Sequence, residues 1–256
     1  YNWLKNILSL PHGIPSDDTY RRVFSAIDSD EFESCFRIWI QSVVSKCDLD
    51  VISVDGKTLR HSFDSAFSKS AIHMVSAWSA AHQLVLGQEK VDSKSNEIKA
   101  IPNLLRLLDL SGNIVTIDAM GTQKKIAQQV SEQGGDYVLA LKKNHKKLYQ
   151  TVEHYFQKNA EDLKENTHSF HETVDGGHGR IETRRYYISS DIDQIEGVSL
   201  WKGLTSIGMV EAERETADGV STELRYYLCS IPADSELFGF SVRSHWGVEN
   251  SLHWVL

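Results

Sequence analysis

Hydrophobic residues are spaced differently in the first 47 residues and in the part that follows. Up to residue 47, apolar side chains recur at helical intervals, which predicts a helical head with a break near residues 28–30. Beyond it, short β-branched runs predict a meander of three strands at 51–55, 71–80 and 83–89. Helices at 96–110 and 123–133 then alternate with strands at 114–117 and 136–141. The first half of the chain is therefore predicted to be a helical segment followed by a mixed α/β unit.

The second half returns to strands after one amphipathic helix at 145–165. The later elements are strands at 169–173, 180–189, 201–214 and 222–231, turns at 175–177 and 218–219, and a helix from residue 234. The core order β-β-β-α-β-α-β, followed by a helix, favours an RNase H-like α/β core with a mixed sheet. The predicted segments are a helical N-terminal head (1–48), the first part of the catalytic core (49–148), a β-rich insertion (149–233) and the last core helix (234–256).

Asp55 and Asp118 each stand where a buried strand ends. The run 114–117 is apolar and rich in β-branched residues, as is typical of a central strand. In an open α/β sheet, binding and catalytic groups usually lie at the carboxyl ends of the strands. The alternative is that each aspartate only forms a turn, before Gly56 in one case and before Gly121 in the other. The repeated design favours a site with paired carboxylates.

The composition restricts the class of protein without identifying it. A chain of 256 residues with 41% hydrophobic content can bury a sizeable core, and no apolar run is long enough to cross a membrane. Its three cysteines have no metal-ligand spacing, which favours a reducing, cytoplasmic setting. No targeting leader is expected, and the ends at Tyr1 and Leu256 are interpreted as cuts in a longer chain.

Positive charge is concentrated in one part of an acidic chain. The net charge of −8 is not typical of a nucleic-acid-binding protein. Between residues 121 and 150, however, six lysines stand against two acidic residues, an excess of six minus two, or +4. The lysines are Lys124, Lys125, Lys142, Lys143, Lys146 and Lys147. They form either a solvated face or, because they follow the Asp118 strand, a set of phosphate contacts.

The last predicted helix carries a candidate third acid, Glu249. Trp246, Glu249, Asn250 and His253 share one face of that helix. Three carboxylates are enough to hold two Mg²⁺ ions, which prefer oxygen ligands and retain several waters. His245, Glu249 and His253 also recur at four-residue spacing, so a zinc site is the alternative, although this is not the metalloprotease pattern H-E-x-x-H.

Four motifs and the head carry a family resemblance. The motifs are V-D-G-K-T-L-R at 54–60, T-I-D-A-M-G-T-Q at 116–123, H-G-R-I-E-T-R at 178–184 and S-H-W-G-V-E-N-S-L-H-W at 244–254. Together with L-P-H-G-I-P-S-D-D-T-Y-R-R-V-F at 10–24, they resemble the H-repeat-associated (Rhs-element-linked) group of bacterial insertion-sequence DDE transposases. The resemblance covers nearly the whole chain. It implies an RNase H-like catalytic core with a β-rich insertion before the glutamate helix.

The resemblance also assigns residues to roles. Asp55, Asp118 and Glu249 match the catalytic and metal-binding acids of the family, which implies two Mg²⁺ or Mn²⁺ ions. Arg243 matches the arginine that precedes the glutamate, whereas Phe240 stands where the signature has a tyrosine. A later basic residue of the signature would lie beyond Leu256. The expected DNA contacts are Lys57, Arg60, Lys142, Lys143, Lys146, Lys147, Arg180 and Arg243.

The expected function is that of a DDE-type DNA transposase, which cleaves DNA at insertion-element ends and transfers the strand to a target. The expected partners are double-stranded DNA, both element ends and target, and a second copy of the chain in a homodimer on DNA, with no membrane. Two alternatives remain open at this point. One is a catalytically inactive, transposase-derived DNA-binding remnant, and the other is an RNase H-like nuclease with no role in transposition.

Overall fold

A computed structural model describes residues 3, 6–7, 9–44, 49–59, 71–91, 97–166, 169–177 and 179–248. The chain divides into two compact units, Tyr1–Ser45 and Lys46–Leu256. Glu249, His253, Arg60 and His178, which the sequence singled out, lie outside the described residues.

The described residues of the first unit include the two predicted helices. They are α1 (Asp17–Ala26) and α2 (Ser29–Val44). Helix α1 begins after Ser16, whose hydroxyl accepts the backbone N–H of Thr19, and such caps satisfy a donor that the first turn leaves unpaired. Between the helices, Asp28 Oδ1 accepts the backbone N–H groups of Asp30 and Glu31. The predicted break at residues 28–30 is confirmed.

The second unit is built on one nine-stranded sheet, as far as the structure describes it. The strands are β1 (Val51–Thr58), β2 (His73–Ser79), β3 (Leu84–Val91), β4 (Ile114–Ile117), β5 (Asp136–Leu141), β6 (Phe170–Gly177), β7 (Arg180–Ser189), β8 (Ser206–Thr216) and β9 (Gly219–Cys229). Their order across the sheet is β3-β2-β1-β4-β5-β9-β8-β7-β6. Strand β4 runs parallel to β1 and β5, and the other neighbouring strands pair antiparallel. The predicted order of an antiparallel meander followed by parallel βα units is confirmed.

Four helices of this unit connect or cover the strands. They are α3 (Glu97–Arg106), α4 (Lys124–Glu132), α5 (Lys146–Lys164) and α6 (Ser235–Gly247). Phe238 and Val242 of α6 belong to a buried cluster with Val51, at the start of β1, and Ile114, at the start of β4. Gly208 makes this packing possible, because a Cβ atom there would stand 2.6 Å from Cε2 of Phe238. Helix α6 is thereby anchored over the central strands.

The β-rich segment continues the core sheet. Strand β9 pairs antiparallel with β5, with Val138 opposite Cys229, so β6 to β9 extend the sheet beyond β5. Several boundaries differ from prediction, among them that of β9, which was predicted at 222–231 and spans Gly219–Cys229. Residues 175–177, predicted as a turn, belong to β6, because they pair with the start of β7 across from Arg180. Strand β8 starts at Ser206 rather than at residue 201, because Val198–Leu200 form a short 3₁₀ helix that ends at the buried Trp201.

Candidate active site

Asp55 and Asp118 occupy equivalent places on neighbouring parallel strands. Val54 of β1 pairs with Ile117 of β4, so the next residue on each strand is one of the two aspartates. Neighbouring strands lie about 4.8 Å apart. Both aspartates are half-buried, and both line one cavity of about 240 Å³. The structure therefore brings together the two acids that the sequence placed at strand ends. For Asp55 the predicted end is wrong, because β1 continues to Thr58 through its pairing with β2, and only its parallel pairing with β4 stops at Val54.

The Asp118 side chain is held by the loop that follows it. Its Oδ1 atom accepts the backbone N–H of Met120 at 3.0 Å and that of Gly121 at 3.1 Å. The hydroxyl of Thr122 closes the loop by donating to the carbonyls of Asp118 and Ala140. The turn interpretation of Asp118 is therefore correct for one carboxylate oxygen, and the same residue lines the cavity with Asp55.

Two hydroxyl groups link α6 to β1 and β4, each of them two residues before an aspartate. Thr116 Oγ1 donates to Ser53 Oγ at 3.1 Å and lies 3.0 Å from His245 Nδ1, while Ser53 Oγ donates to the carbonyl of Ser244. Because side chains alternate along a strand, Asp55 and Asp118 face the same side of the sheet as these hydroxyls. His245 and Trp246 line the cavity with them.

Helix α6 and the two strands advance in the same direction. Val242 packs near the starts of β1 and β4, and Ser244 and His245 contact their middles. Asp55 and Asp118 come next along the two strands. The described end of α6, at Gly247, therefore points toward the aspartates. Glu249 is not among the residues that the structure describes.

We call the cavity that Asp55 and Asp118 line the aspartate cavity. One of its walls is formed by charged and aromatic side chains from β9 and α6. The Arg225 guanidinium lies 4.7 Å from the centre of the Trp246 ring, and its Nη2 is 2.6 Å from Glu223 Oε2. This hydrogen bond is the main cause that lowers the pKa of Glu223 below its usual value and raises that of Arg225. Sequence reasoning missed Arg225 and Glu223. Their two-residue spacing, which places both on one face of a strand, was the available signal.

The predicted DNA-contact residues are distributed over different surfaces. Lys142 lines the aspartate cavity, and Lys57 lies two residues after Asp55 on β1. Arg180 and Arg243 line a second cavity, where Arg243 Nη2 is 3.9 Å from Asp175 Oδ2. The exposed lysines Lys143, Lys146 and Lys147 lie in a short 3₁₀ helix and at the start of α5, and Lys124 and Lys125 begin α4.

The described residues alone do not complete a metal centre. Within them, no group of three or more His, Cys, Asp or Glu side chains is gathered closely enough to hold a metal ion. Asp55 and Asp118 supply oxygen donors on adjacent strands, the ligand type that Mg²⁺ and Mn²⁺ prefer. Of the alternative zinc set, His245 contacts Thr116, and its two proposed co-ligands are outside the described part. No helix in that part is long and apolar enough to cross a membrane.

Comparison with known proteins identifies the family. A family model described as "Transposase DDE domain" matches residues 46–256, and another, described as "DDE_Tnp_1-associated", matches residues 1–40. The chain belongs to the DDE transposase family. Both aspartates and helix α6 lie within the matched DDE domain.

Curated relatives support the same assignment. "Putative transposase YncI" of Escherichia coli O157:H7 is 44% identical over 261 residues, covering 99% of this chain and 66% of that protein. "H repeat-associated putative transposase YhhI" of Escherichia coli K12 is 40% identical over 260 residues, covering 100% of this chain and 68% of that protein. The chain thus spans about two thirds of the length of these relatives. The resemblance to H-repeat-associated transposases is confirmed.

A search of solved structures adds nothing to this assignment. A sugar N-methyltransferase, KedS8 from a Streptoalloteichus species, matches with a TM-score of 0.21 and 13% identity, over 52% of this chain and 46% of that one.

Proposed function

We propose that this DDE transposase domain cleaves DNA at the ends of an insertion element and joins the freed strand to target DNA. The observation that carries the proposal is the placement of Asp55 and Asp118 directly after the last paired residues of two parallel strands, where they line one cavity. Two copies, one at each element end, would act together on double-stranded DNA. Because the chain spans about two thirds of its relatives, this activity is proposed for the longer protein of which it would be the catalytic part.

The strand order supports an RNase H-like core for this activity. In the order β3-β2-β1-β4-β5, an antiparallel meander is followed by two strands parallel to β1, and helices α3 and α4 connect the strands. Such a core places the chemistry at the carboxyl side of its parallel strand pairing, and Asp55 and Asp118 directly follow the last paired residues.

Glu249 is proposed as the third acid. The contacts of Ser244 and His245 with Ser53 and Thr116 hold α6 over the strands just before the aspartates. Continuation of the helix would place Glu249 about one turn beyond His245, at the level of the aspartates. Mg²⁺ or Mn²⁺ ions bound by the three carboxylates would activate the attacking oxygen and stabilise the leaving oxygen of a phosphodiester.

The remaining residues of the cavity would orient the DNA strand. Lys142 and Arg225 carry positive charge on the cavity wall and would contact the phosphate beside the reacting bond. The backbone donors of Met120 and Gly121 fix one oxygen of Asp118, so the carboxylate is already oriented before DNA binds. Water would attack the phosphodiester and release a 3′-hydroxyl, which would then attack a phosphodiester of the target DNA.

Replacement of Asp118 by Asn tests this proposal. The amide oxygen of Asn can still accept the two backbone N–H groups, so the loop and the fold are retained, but the negative charge is lost. We expect nicking of supercoiled plasmid DNA in Mn²⁺ to fall by about 10³-fold or more, which corresponds to about 4 kcal/mol of transition-state stabilisation.

A matched control is Asp109→Asn. Asp109 is exposed, and its Oδ1 atom likewise accepts a backbone N–H, that of Ser111. This variant should cleave DNA at the parental rate. Undiminished cleavage by Asp118→Asn would refute the assignment, whereas a parental chain that binds DNA and never cleaves it would instead support the remnant.

A further inference from the structure

The face of β6 to β9 that packs against α6 changes character along the strands. Near α6 it is apolar, with Tyr186 and Tyr227 against Phe238. Toward the two hairpin ends, the same face becomes a cavity of about 690 Å³ lined by charged side chains. Five arginines line it: Arg180, Arg184, Arg214, Arg225 and Arg243. We call this cavity the arginine basin.

Four carboxylates share the basin with the arginines: Asp175, Glu182, Glu213 and Glu223. Five arginines less four acids leave an excess of +1, in a chain whose net charge is −8. Glu182 is central to this arrangement, because its Oε1 atom is 2.9 Å from Arg214 Nη2 and 3.1 Å from Arg180 Nε. Arg184 contacts both Asp175, at 2.7 Å, and Glu182.

The arginine basin opens toward the aspartate cavity. Glu223, Arg225 and Trp246 line both cavities. Between Ser221 and Arg225, β9 covers about 13 Å along the basin, since a strand rises about 3.3 Å per residue. A DNA strand whose phosphate lies at Asp55 and Asp118 would therefore bring its neighbouring phosphates over the basin.

Two carboxylates of the basin, Glu182 and Glu223, are held in the ionised form. Burial raises the pKa of Glu182, but the hydrogen bond from Arg214 and the charges of Arg184 and Arg180 outweigh it, so the pKa lies below its usual value. The hydrogen bond from Arg225 lowers the pKa of Glu223. Both acids are therefore negatively charged at neutral pH and occupy donors that a phosphate would otherwise use.

We infer that the arginine basin is the binding surface for the DNA backbone next to the cleavage site, and that Glu223 and Glu182 compete with the phosphates for its arginines. The inference rests on the proposed function. Carboxylate and phosphate oxygens use the same guanidinium N–H groups, so binding exchanges one ion pair for another. Exposed ion pairs are weak in water, and Arg225 and Glu223 are solvent-accessible enough to exchange. The acidic partners thus keep DNA binding weak and reversible.

Neutralisation of Glu223 tests the competition directly. Glu223→Gln removes one competing charge at a side chain that is 60% exposed, so the fold is retained. In the full 256-residue chain, we expect binding of a fluorescent random-sequence DNA duplex to tighten by about three- to tenfold at about 0.1 M salt. The control Glu196→Gln makes the same change of net charge at an exposed residue that lines neither cavity, and it should change affinity by less than about twofold.

Replacement of an arginine should have the opposite effect. Arg225→Gln is expected to weaken binding by about tenfold and to reduce the slope of log affinity against log salt by about 1, because one phosphate contact is lost. Arg225→Lys should restore much of the salt slope, since the charge returns. A residue that only supports Trp246 would not change this slope.

The outcomes of these experiments distinguish the proposed function from the competition between the acids and the phosphates. If the parental chain binds no DNA in any salt concentration, the proposed function itself fails. If the parental chain binds DNA and Glu223→Gln leaves its affinity unchanged or lowers it, the competition is wrong. If Arg225→Gln leaves the salt slope unchanged, the arginine basin is not the DNA-binding surface.

Discussion

Gly56, which follows Asp55 on β1, has no room for a side chain because a buried pair of residues packs against it. His73 is buried and hydrogen-bonds Glu97 through Nε2 and Thr58 Oγ1, at 2.9 Å, through Nδ1. A Cβ atom on Gly56 would lie 2.6 Å from Glu97 Cδ and 3.0 Å from His73 Nε2. Any side chain at this position must displace the buried pair or shift the strand that carries Asp55.

We therefore expect Gly56→Ala to lower the free energy of unfolding by about 1–3 kcal/mol, the usual cost of overpacking. DNA cleavage should fall as well, because the displaced backbone adjoins Asp55. Urea unfolding and plasmid nicking measure the two effects. Gly176→Ala is the stability control, since its added Cβ would meet nothing within 4 Å and should change the unfolding free energy by less than about 0.5 kcal/mol.

Part of the site could be predicted from the local sequence, and part could not. Asp55 and Asp118 were predictable because a buried apolar run followed by an acid is a local pattern, and their strands pair as expected. The arginine basin was not predictable, because its arginines and acids come from four strands and a helix. Their local sequence also fits a solvated hairpin, and only the pairing register brings Glu182 opposite Arg214.

At the scale of elements, the position of α6 depends on a small polar contact. Thr116 of β4 hydrogen-bonds Ser53 of β1 and contacts His245 of α6. Ser53 and Thr116 each lie two residues before an aspartate of the proposed site. The apolar side of α6 fixes the distance of the helix from the sheet. The hydroxyl contacts fix its position along the strands, and with it the end of the helix at Gly247.

Replacement of Thr116 by Val removes this link at nearly constant volume. We expect the free energy of unfolding to fall by about 1–2 kcal/mol, since buried polar groups lose their partner. Metal-dependent cleavage should fall by about 10- to 100-fold, as is usual for residues that orient the groups of a metal site. Chemical unfolding and plasmid nicking are the measurements.

Thr205→Val is the control, because its hydroxyl contacts the carbonyls of Ser230 and Ile231 and none of the three residues lines the aspartate cavity. It should lower stability and leave cleavage intact. Equal cleavage by the two variants would show that the hydroxyl contact does not position the site.

The sequence predicted the helices and strands better than it predicted which strands pair with each other. Strands such as β4 and β5 were recognised because their apolar runs are buried on both faces. The pairing of β5 with β9 was not predicted, because the hydrophobic pattern of a strand does not specify which distant strand it meets. Residues 175–177 are rich in glycine and were assigned to a turn, but cross-strand pairing extends β6 through them.

For the whole molecule, buried tyrosines couple stability to alkaline pH. Tyr226 is 1% exposed, and its hydroxyl has no hydrogen-bond partner among the described residues. Burial, with smaller contributions from Glu153 and Tyr149, raises its pKa from 10.0 to about 12. The unfolded chain therefore ionises first as pH rises. The stabilising contribution is complete below pH 10 and is lost as pH increases toward 12.

Tyr226 alone should cost about 2–3 kcal/mol of unfolding free energy over this pH range. Tyr226→Phe should make the loss with pH shallower and raise stability at neutral pH by about 1 kcal/mol, because an unpaired buried hydroxyl is removed. Urea unfolding at a series of pH values measures both effects. Tyr20→Phe, at a residue 45% exposed, should leave the pH profile unchanged, and an equal change in both variants would contradict the assignment.

The pairing of β5 with β9 also governs how the protein is assembled during translation. A ribosome makes β1 to β5 first, but β5 lacks its second neighbour until Cys229 has been made, and α6 is made later still. Contacts so distant in sequence form slowly, since a long loop must close before they bring any stabilisation. The edge of the nascent sheet at β5 therefore stays unpaired until late in synthesis. Helix α6, which lines the cavity with the two aspartates, is added only near the end. The proposed DNA cleavage would therefore begin only after most of this domain has been made.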